Sequence, residues 1–487
     1  MNGLQWPLDA QGRRASGAVG QRIVAAALRE LDGTAADAVL AERRWRQAYP
    51  RHWRALVQAQ AARPAGVAAS ARAGLAAAWR ELPFLRDGRP LALADAMRAP
   101  RQGLQTLQLS GQGEAAPAPW TVPYQGRPLG GDALARQIDR WERAGICEPG
   151  HAEALRDCLA HPEWFDLSDQ HLALLGAGSE AGPLAWLARW RARLVAVDLA
   201  RPATWKRIAG LVAAGNATLT APVAPGQPLD TAHAGADLLA DTPEIAAWLA
   251  SLGRPLALAN LAYLDGERHV RVSLAMDAIG AALCSADART QLAYMATPTD
   301  VFAVPRDVAE DVMQRFAARG LAKRLVQAGA RLASGGRGFA PHIEALVDAQ
   351  DGGRWGLVDA LVVEQGPNYA LAKRLQQWRA LVARDEGRRV AFNVAPSTTT
   401  ASVVSNPLLA AGFRGARAFG VEAFAPETTN ALMAAMWVHQ LRTAPRDFAH
   451  PLQALVHTAN HGGLWRLPYL PRSVLPMAAL LGFLRRA

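Results

Sequence analysis

The chain has 487 residues, 51% of them hydrophobic, which is ample for a large core and for two or three domains. Its net charge of +11 would suit an anionic partner, yet the basic residues form no run of five or more, which argues against a nucleic-acid interface. Cys147, Cys158 and Cys284 are too few and too separated for a disulfide framework or a zinc cage, and no apolar run reaches the ~18 residues of a membrane span.

The opening MNGLQWPLDAQGRR lacks the apolar core of a signal peptide, so a cytoplasmic protein is expected, at most peripheral to a membrane. Residues 1–165 read as a helical N-terminal domain. GQRIVAAALRELDG and the stretch from Arg51 to Pro83 carry apolar residues at helical spacing, and SGQGEAAPAPWTVPYQGRPLGG reads as a loop.

From residue 166 to 425 the texture becomes that of a parallel sheet with crossover helices. HLALLGAG, RLVAVDL, RPLALANLA, TQLAYMATP and RRVAFNVAP read as strands. GPLAWLARWRA, TPEIAAWLASLG, VRVSLAMDAIGAALC and YALAKRLQQWRALVARDEG read as the helices between them. Residues 301–365 break the alternation and read as an insertion. The expected fold class is therefore α/β, a Rossmann-type doubly wound sheet, with a helical C-terminal extension over residues 426–487.

The passage LALLGAGSEAGPLAWLARWRARLVAVDLARP has the G-x-G-x-x-A pattern of a nucleotide loop. Gly176 permits the turn, Gly178 allows close approach of a pyrophosphate, and Ser179, Glu180, Ala181 and Gly182 lead into a helix whose start would hold phosphate. Asp198, twenty residues after Gly178, closes the next strand and can accept from both ribose hydroxyls. It favours NAD over NADP, while Arg201 leaves NADP open. S-adenosylmethionine enzymes use the same geometry, so the passage alone does not choose between hydride and methyl transfer.

Further positions line up in chain order with the short-chain dehydrogenase/reductase superfamily, which residues 171–405 resemble. The resemblance makes Asp237 the acid near the adenine, and Asn260 and Ala262 the Asn-Ala motif beside the cofactor. It matches YALAK to the family's Tyr-x-x-x-Lys, and Pro396 to the turn flanking the nicotinamide. It implies Tyr369 as proton donor and Lys373 as its activator, since a phenol has a pKa near ~10 and a lysine one helical turn away stabilises its anion. Thr297 and Thr299 stand where the family has a serine, although 72 residues separate Thr297 from Tyr369. Asn368 and Ser334 are alternative donors. Asp277 stands for the asparagine of the family's proton relay.

Near the C-terminus, His439, His450, His457 and His461 lack zinc spacing with an acid between them and read as packing residues. TTNALMAAMWVHQL reads as core. The tail from His461 to Ala487, apolar and carrying Arg485-Arg486 just before its last residue, could rest on a membrane surface or close over the site. The expectation is an NAD(P)-dependent oxidoreductase acting on a fairly apolar small molecule, with no nucleic acid, and with a homodimer open to it. An S-adenosylmethionine methyltransferase and a non-catalytic nucleotide-binding protein remain as alternatives.

Overall fold

A computed structural model describes residues 2–101, 103–400, 405 and 407–484. Ala401-Ser402, at the end of the resemblance, and Arg485-Arg486 lie outside the described residues. The chain is mixed α/β, built on a seven-stranded, mostly parallel sheet flanked by helices, an arrangement compatible with a Rossmann-like fold.

The strands of the large sheet and of the smaller one after it are, in chain order, β1 (Gln105–Ser110), β2 (His171–Leu175), β3 (Arg193–Val197), β4 (Thr218–Val223), β5 (Ala257–Asn260), β6 (Gln291–Ala296), β7 (Val301–Pro305), β8 (Val347–Asp348), β9 (Arg354–Asp359) and β10 (Val390–Val394). The large sheet runs β10-β6-β5-β2-β3-β4-β1, with only the edge strand β1 antiparallel. Its inner strands are short apolar runs because both faces are covered. Side chains alternate between faces: Ala173 and Leu175 join one core, and Leu172 and Leu174 the other.

Residues 2–165 do not form a helical domain with its own core. Helices Ser16–Arg29 and Val67–Glu81 share the core on one side of the sheet by packing on helix Gly366–Asp385. Helices Gly131–Arg143 and Pro149–Ala160 share the core on the other, the latter packing on helix Pro426–Arg442, and β1 lies between the two pairs in sequence. The anchorage is tight, since a Cβ at Gly74 would fall 2.5 Å from the Trp378 ring on helix Gly366–Asp385.

Besides β1, which falls in the segment expected to be helical, a strand and a helix differ from expectation. Strand β4 is not among the expected strands; it carries Pro222, which lacks the N–H an inner strand normally donates, and β1 pairs with it along its whole length. GPLAWLARWRA, expected as a helix, has a single turn, Leu184–Leu187. The carbonyls that would continue it are taken from elsewhere: Ala188 O by the amides of Asn216 and Ala217, Arg189 O by Ala118, and Trp190 O by Leu167. Arg191 then turns left-handed, with φ of 58°. Tertiary hydrogen bonds override helix propensity here.

The 301–365 insertion carries helices Arg306–Ala317 and Leu321–Ala333 and a three-stranded antiparallel sheet, β7-β9-β8. Its first and last strands pair from Val301 opposite Asp359, and Ala360 N donates to Asp300 O at 3.1 Å. The insertion therefore leaves the sheet and returns to it at one point.

Candidate functional site

Strands β2, β3, β5, β6 and β10 end on one side of the sheet, and across those ends lies a cavity of about 530 Å³. It spans the place where strand order reverses between β2 and β5, the usual ligand crevice of open parallel sheets.

At one end is the glycine loop. Gly176, Gly178, Ser179, Glu180, Ala181, Asp198 and Asp237 line the cavity there, with Arg201. Gly176 has φ of 89°, and a Cβ on it would fall 2.5 Å from the Ala262 backbone, so the chains cross where only glycine fits. Asp198 holds the loop from beneath: its carboxylate accepts from Gly178 N at 2.7 Å and from Leu199 N at 2.8 Å. Arg207 donates to Gly178 O. Gly182, expected to open a phosphate-binding helix, is absent from the lining and closes a tight turn by donating to Ser179 O at 3.1 Å. With one helical turn following, the expected helix N-terminus for phosphate is missing. The Asp237 carboxylate accepts from Leu239 N at 2.8 Å.

At the other end, Tyr369, Lys373 and Gln376 line the cavity from helix Gly366–Asp385, spaced four and three residues apart on one face. Opposite them are Thr297 and Thr299 from the loop after β6, their hydroxyls 2.7 Å apart. The 72-residue separation from Tyr369 is bridged by the returning insertion. Beneath this pair, Asp300 is 1% exposed and bonds Arg374 at 3.0 Å and Gln377 at 2.8 Å on the tyrosine helix. Trp465 Nε1 donates to Pro298 O at 3.1 Å and fixes the threonine loop.

Burial pushes the Tyr369 phenol up from its ordinary value, and hydrogen bonding with Thr297 and Thr299 works the other way. Burial lowers the Lys373 ammonium to about 8, with Asp300 opposing the shift. Its Nζ lies 5.9 Å from the centre of the Tyr369 ring. The His269 ring stacks on Tyr369 at 5.6 Å and 18°, and Tyr263 meets Tyr369 edge-on at 6.3 Å. Burial holds His269 neutral well below the usual histidine value, the Lys373 charge adding to the effect.

Between the two ends, Asn260 at the tip of β5 is 3% exposed and lines the cavity, yet neither its Nδ2 nor its Oδ1 has a partner. Gln376 Oε1 is also without one. Buried amide atoms left unpaired cost about 1–3 kcal/mol each, so a ligand that meets them gains what they lack. Ala262 and Pro396 complete this middle section.

Asp277 is the clear correction. It does not line the cavity; its carboxylate accepts from Trp79 Nε1 at 2.7 Å and pairs with Arg379 at 2.6 Å, joining helix Glu267–Ala286 to its neighbours. From that helix, His269 is the group whose charge state Lys373 perturbs. The alternative donors lie elsewhere: Asn368 Nδ2 bonds Ser16 Oγ at 3.0 Å, and Ser334 Oγ accepts from Gly338 N in the insertion. Gln376, His269 and Tyr263 were not singled out in the sequence. Gln376 had a signal, seven residues after Tyr369 on the same face; His269 and Tyr263 had none in their spacing.

The four C-terminal histidines are held singly. His439 meets Asp157 at 3.1 Å, His450 meets Ala61 O at 3.2 Å, His457 meets Arg446 at 3.1 Å, and His461 meets Glu148 at 2.9 Å.

No protein-family model matches the chain, and no curated protein matches it.

Proposed function

We propose that the protein is an NAD(P)-dependent oxidoreductase that interconverts a carbonyl and a hydroxyl on a fairly apolar small molecule. The observation that carries this reading is the meeting of Tyr369, Lys373 and the Thr297/Thr299 hydroxyls in the same cavity as the glycine loop, despite the insertion between them. The sheet supports it: counted from β2, the parallel strands follow the 3-2-1-4-5-6 order of dinucleotide-binding folds. On this reading the fold is a doubly wound Rossmann sheet.

Two features fit a dinucleotide: the glycine-only crossing at Gly176, and the unpartnered amide of Asn260 midway along the cavity. Gly176, Gly178, Ser179, Glu180 and Ala181 with Asp198 would hold the adenosine half, Asp237 the adenine side, and Asn260, Ala262 and Pro396 the nicotinamide side. The bound nicotinamide would supply or accept hydride.

The rest belongs to the chain. Tyr369, kept protonated at neutral pH by burial, donates its proton to the carbonyl oxygen, with Thr297 or Thr299 orienting that oxygen. Lys373 stabilises the phenolate left behind. Leu238, Leu239, Leu264, Val272, Met295 and Phe413 give the cavity an apolar wall suited to an apolar substrate. Helices Ser16–Arg29 and Val67–Glu81 cover the tyrosine helix, so a homodimer would use another surface.

One observation favours a second reading, an S-adenosylmethionine methyltransferase. The loop has lost its phosphate-facing helix, and that cofactor carries no phosphate. Thermal-shift titration with NADH, NADPH and S-adenosylmethionine separates the two. Nicotinamide binding should raise Tm visibly, since ligand at 100 times Kd adds ~2.7 kcal/mol. Tyr369→Phe should keep that shift and lose about 10²–10⁴ in turnover. Stabilisation by S-adenosylmethionine alone would sink the oxidoreductase reading.

A further inference from the structure

Among the described residues, thirteen large hydrophobic side chains are exposed, and eight of them sit on two helices. Leu321, Leu325, Val326 and Leu332 are on helix Leu321–Ala333 of the insertion, between 65% and 84% exposed. Met477, Leu480, Phe483 and Leu484 are on the C-terminal helix Pro471–Leu484. Such clustering is unlike the scattered apolar exposure of an ordinary soluble surface.

Both sets are periodic. At 3.6 residues per turn Leu321, Leu325 and Leu332 form one stripe, with Arg324 and Arg331 along one border. The helix is anchored by another side: Gln327 is 6% exposed, and its Nε2 donates to Tyr469 Oη at 2.6 Å. Met477, Leu480 and Leu484 form the second stripe, with Phe483 beside it. The two helices belong to one corner of the molecule, because Phe339 N and Ala340 N, just after the insertion helix, bond Ser473 O and Oγ.

Charge selects the partner. Residues 312–343 contain six Lys and Arg and no Asp or Glu, and residues 448–487 likewise contain no acid. Lys323, Arg324, Arg331 and Arg337 are exposed on helix Leu321–Ala333 or just after it, and of these Arg324 and Arg331 flank the leucine stripe. An apolar stripe bordered by cations and free of acids matches the interface of an anionic bilayer, where the leucines enter the acyl boundary and the cations meet headgroup phosphates.

We infer that helices Leu321–Ala333 and Pro471–Leu484 together form a docking surface for an anionic lipid bilayer. It extends the contact expected from the C-terminal tail to the insertion, which supplies most of the exposed cations. The surface also backs onto the cavity. Helix Pro407–Ala416 contributes Phe413 to the cavity wall and packs against the C-terminal helix so closely that a Cβ at Gly415 would fall 1.7 Å from Ala478 O. Docking needs no particular chemistry in the cavity, so vesicle binding and nucleotide binding succeed or fail separately.

The test is flotation of the full chain with phosphatidylglycerol vesicles and with phosphatidylcholine vesicles. The protein should float with the anionic vesicles, at least tenfold less with the neutral ones, and less again as salt screens the cations. The double variant Leu325→Glu/Leu332→Glu, and separately Leu480→Glu, should each weaken binding at least tenfold. Because these side chains are exposed, Tm should stay within a few degrees.

A second measurement does not depend on losing a contact. The native cysteines are all buried, so Leu332→Cys can carry a polarity-sensitive dye, whose emission should shift to the blue with anionic vesicles. Failure to float with either vesicle, or an unmoved dye, overturns the inference. So does light scattering that shows a dimer split by the glutamate variants, which would make a second copy the occupant.

Discussion

At the glycine end of the cavity, the loop's polar atoms are turned inward on the protein itself: Gly178 N–H on Asp198, Gly178 O on Arg207, Gly182 N–H on Ser179 O. Toward the tyrosine end, Asn260 and Gln376 Oε1 have no partners, and one layer deeper Asp300 is paired with Arg374 and Gln377. Asn260 and Gln376 line the cavity, and groups left open toward a cavity persist only when something rigid beneath them fixes their places. Substitutions at the glycine end should therefore register as stability, and those facing the cavity at the tyrosine end as chemistry.

The buried support is where this contrast breaks most easily. Asp300→Ala leaves the Arg374 guanidinium, 2% exposed, without its ion pair. Denaturant unfolding should show a loss of about 3–5 kcal/mol. A loss below 1 kcal/mol would mean that the network does not hold the threonine loop to the tyrosine helix.

Gly176→Ala forces a Cβ into the Ala262 backbone at a positive φ and should cost about 2 kcal/mol by the same measurement. If it unfolds like the wild type, the chain crossing is looser than described.

Lys373 should behave in the opposite sense. Burial holds its folded pKa near 8, against 10.5 for an exposed lysine, so between those values the unfolded chain binds the extra proton. The cost is fully present below about pH 8 and is shed as pH rises toward 10.5. Lys373→Met should thus be more stable than the wild type by about 3 kcal/mol at pH 7, with the gap closing by about pH 10.5, while turnover is lost. A gap that stays constant with pH would remove the buried charge as its cause. The smallest effect is expected from Asp198→Asn, whose amide keeps only one acceptor for two backbone N–H groups, about 1 kcal/mol. No change in unfolding would show the loop to be held by other contacts.

Much of the site was legible because its signals are local. Tyr369, Lys373 and Gln376 share a face through helical periodicity alone, and Gly176 and Asp198 close consecutive strands of recognisable type. Five of the six parallel strands were readable as short apolar runs, and the alternation breaks off where the separate sheet β7-β9-β8 stands.

What the sequence by itself determined was which segments alternate as strand and helix, and which residues stand at strand ends. These depend on backbone sterics and on side-chain period within a few neighbours. Only the tertiary structure decided the rest. The segment 182–192 keeps one helical turn because residues 118, 167, 216 and 217 take its carbonyls. Thr297 reaches Tyr369 because β7 and β9 pair and close the insertion. Asp277 is spent on Trp79 and Arg379, away from the cavity. In each case the deciding partner is a hydrogen-bonding or charged group far away in the chain, and no local window of residues contains it.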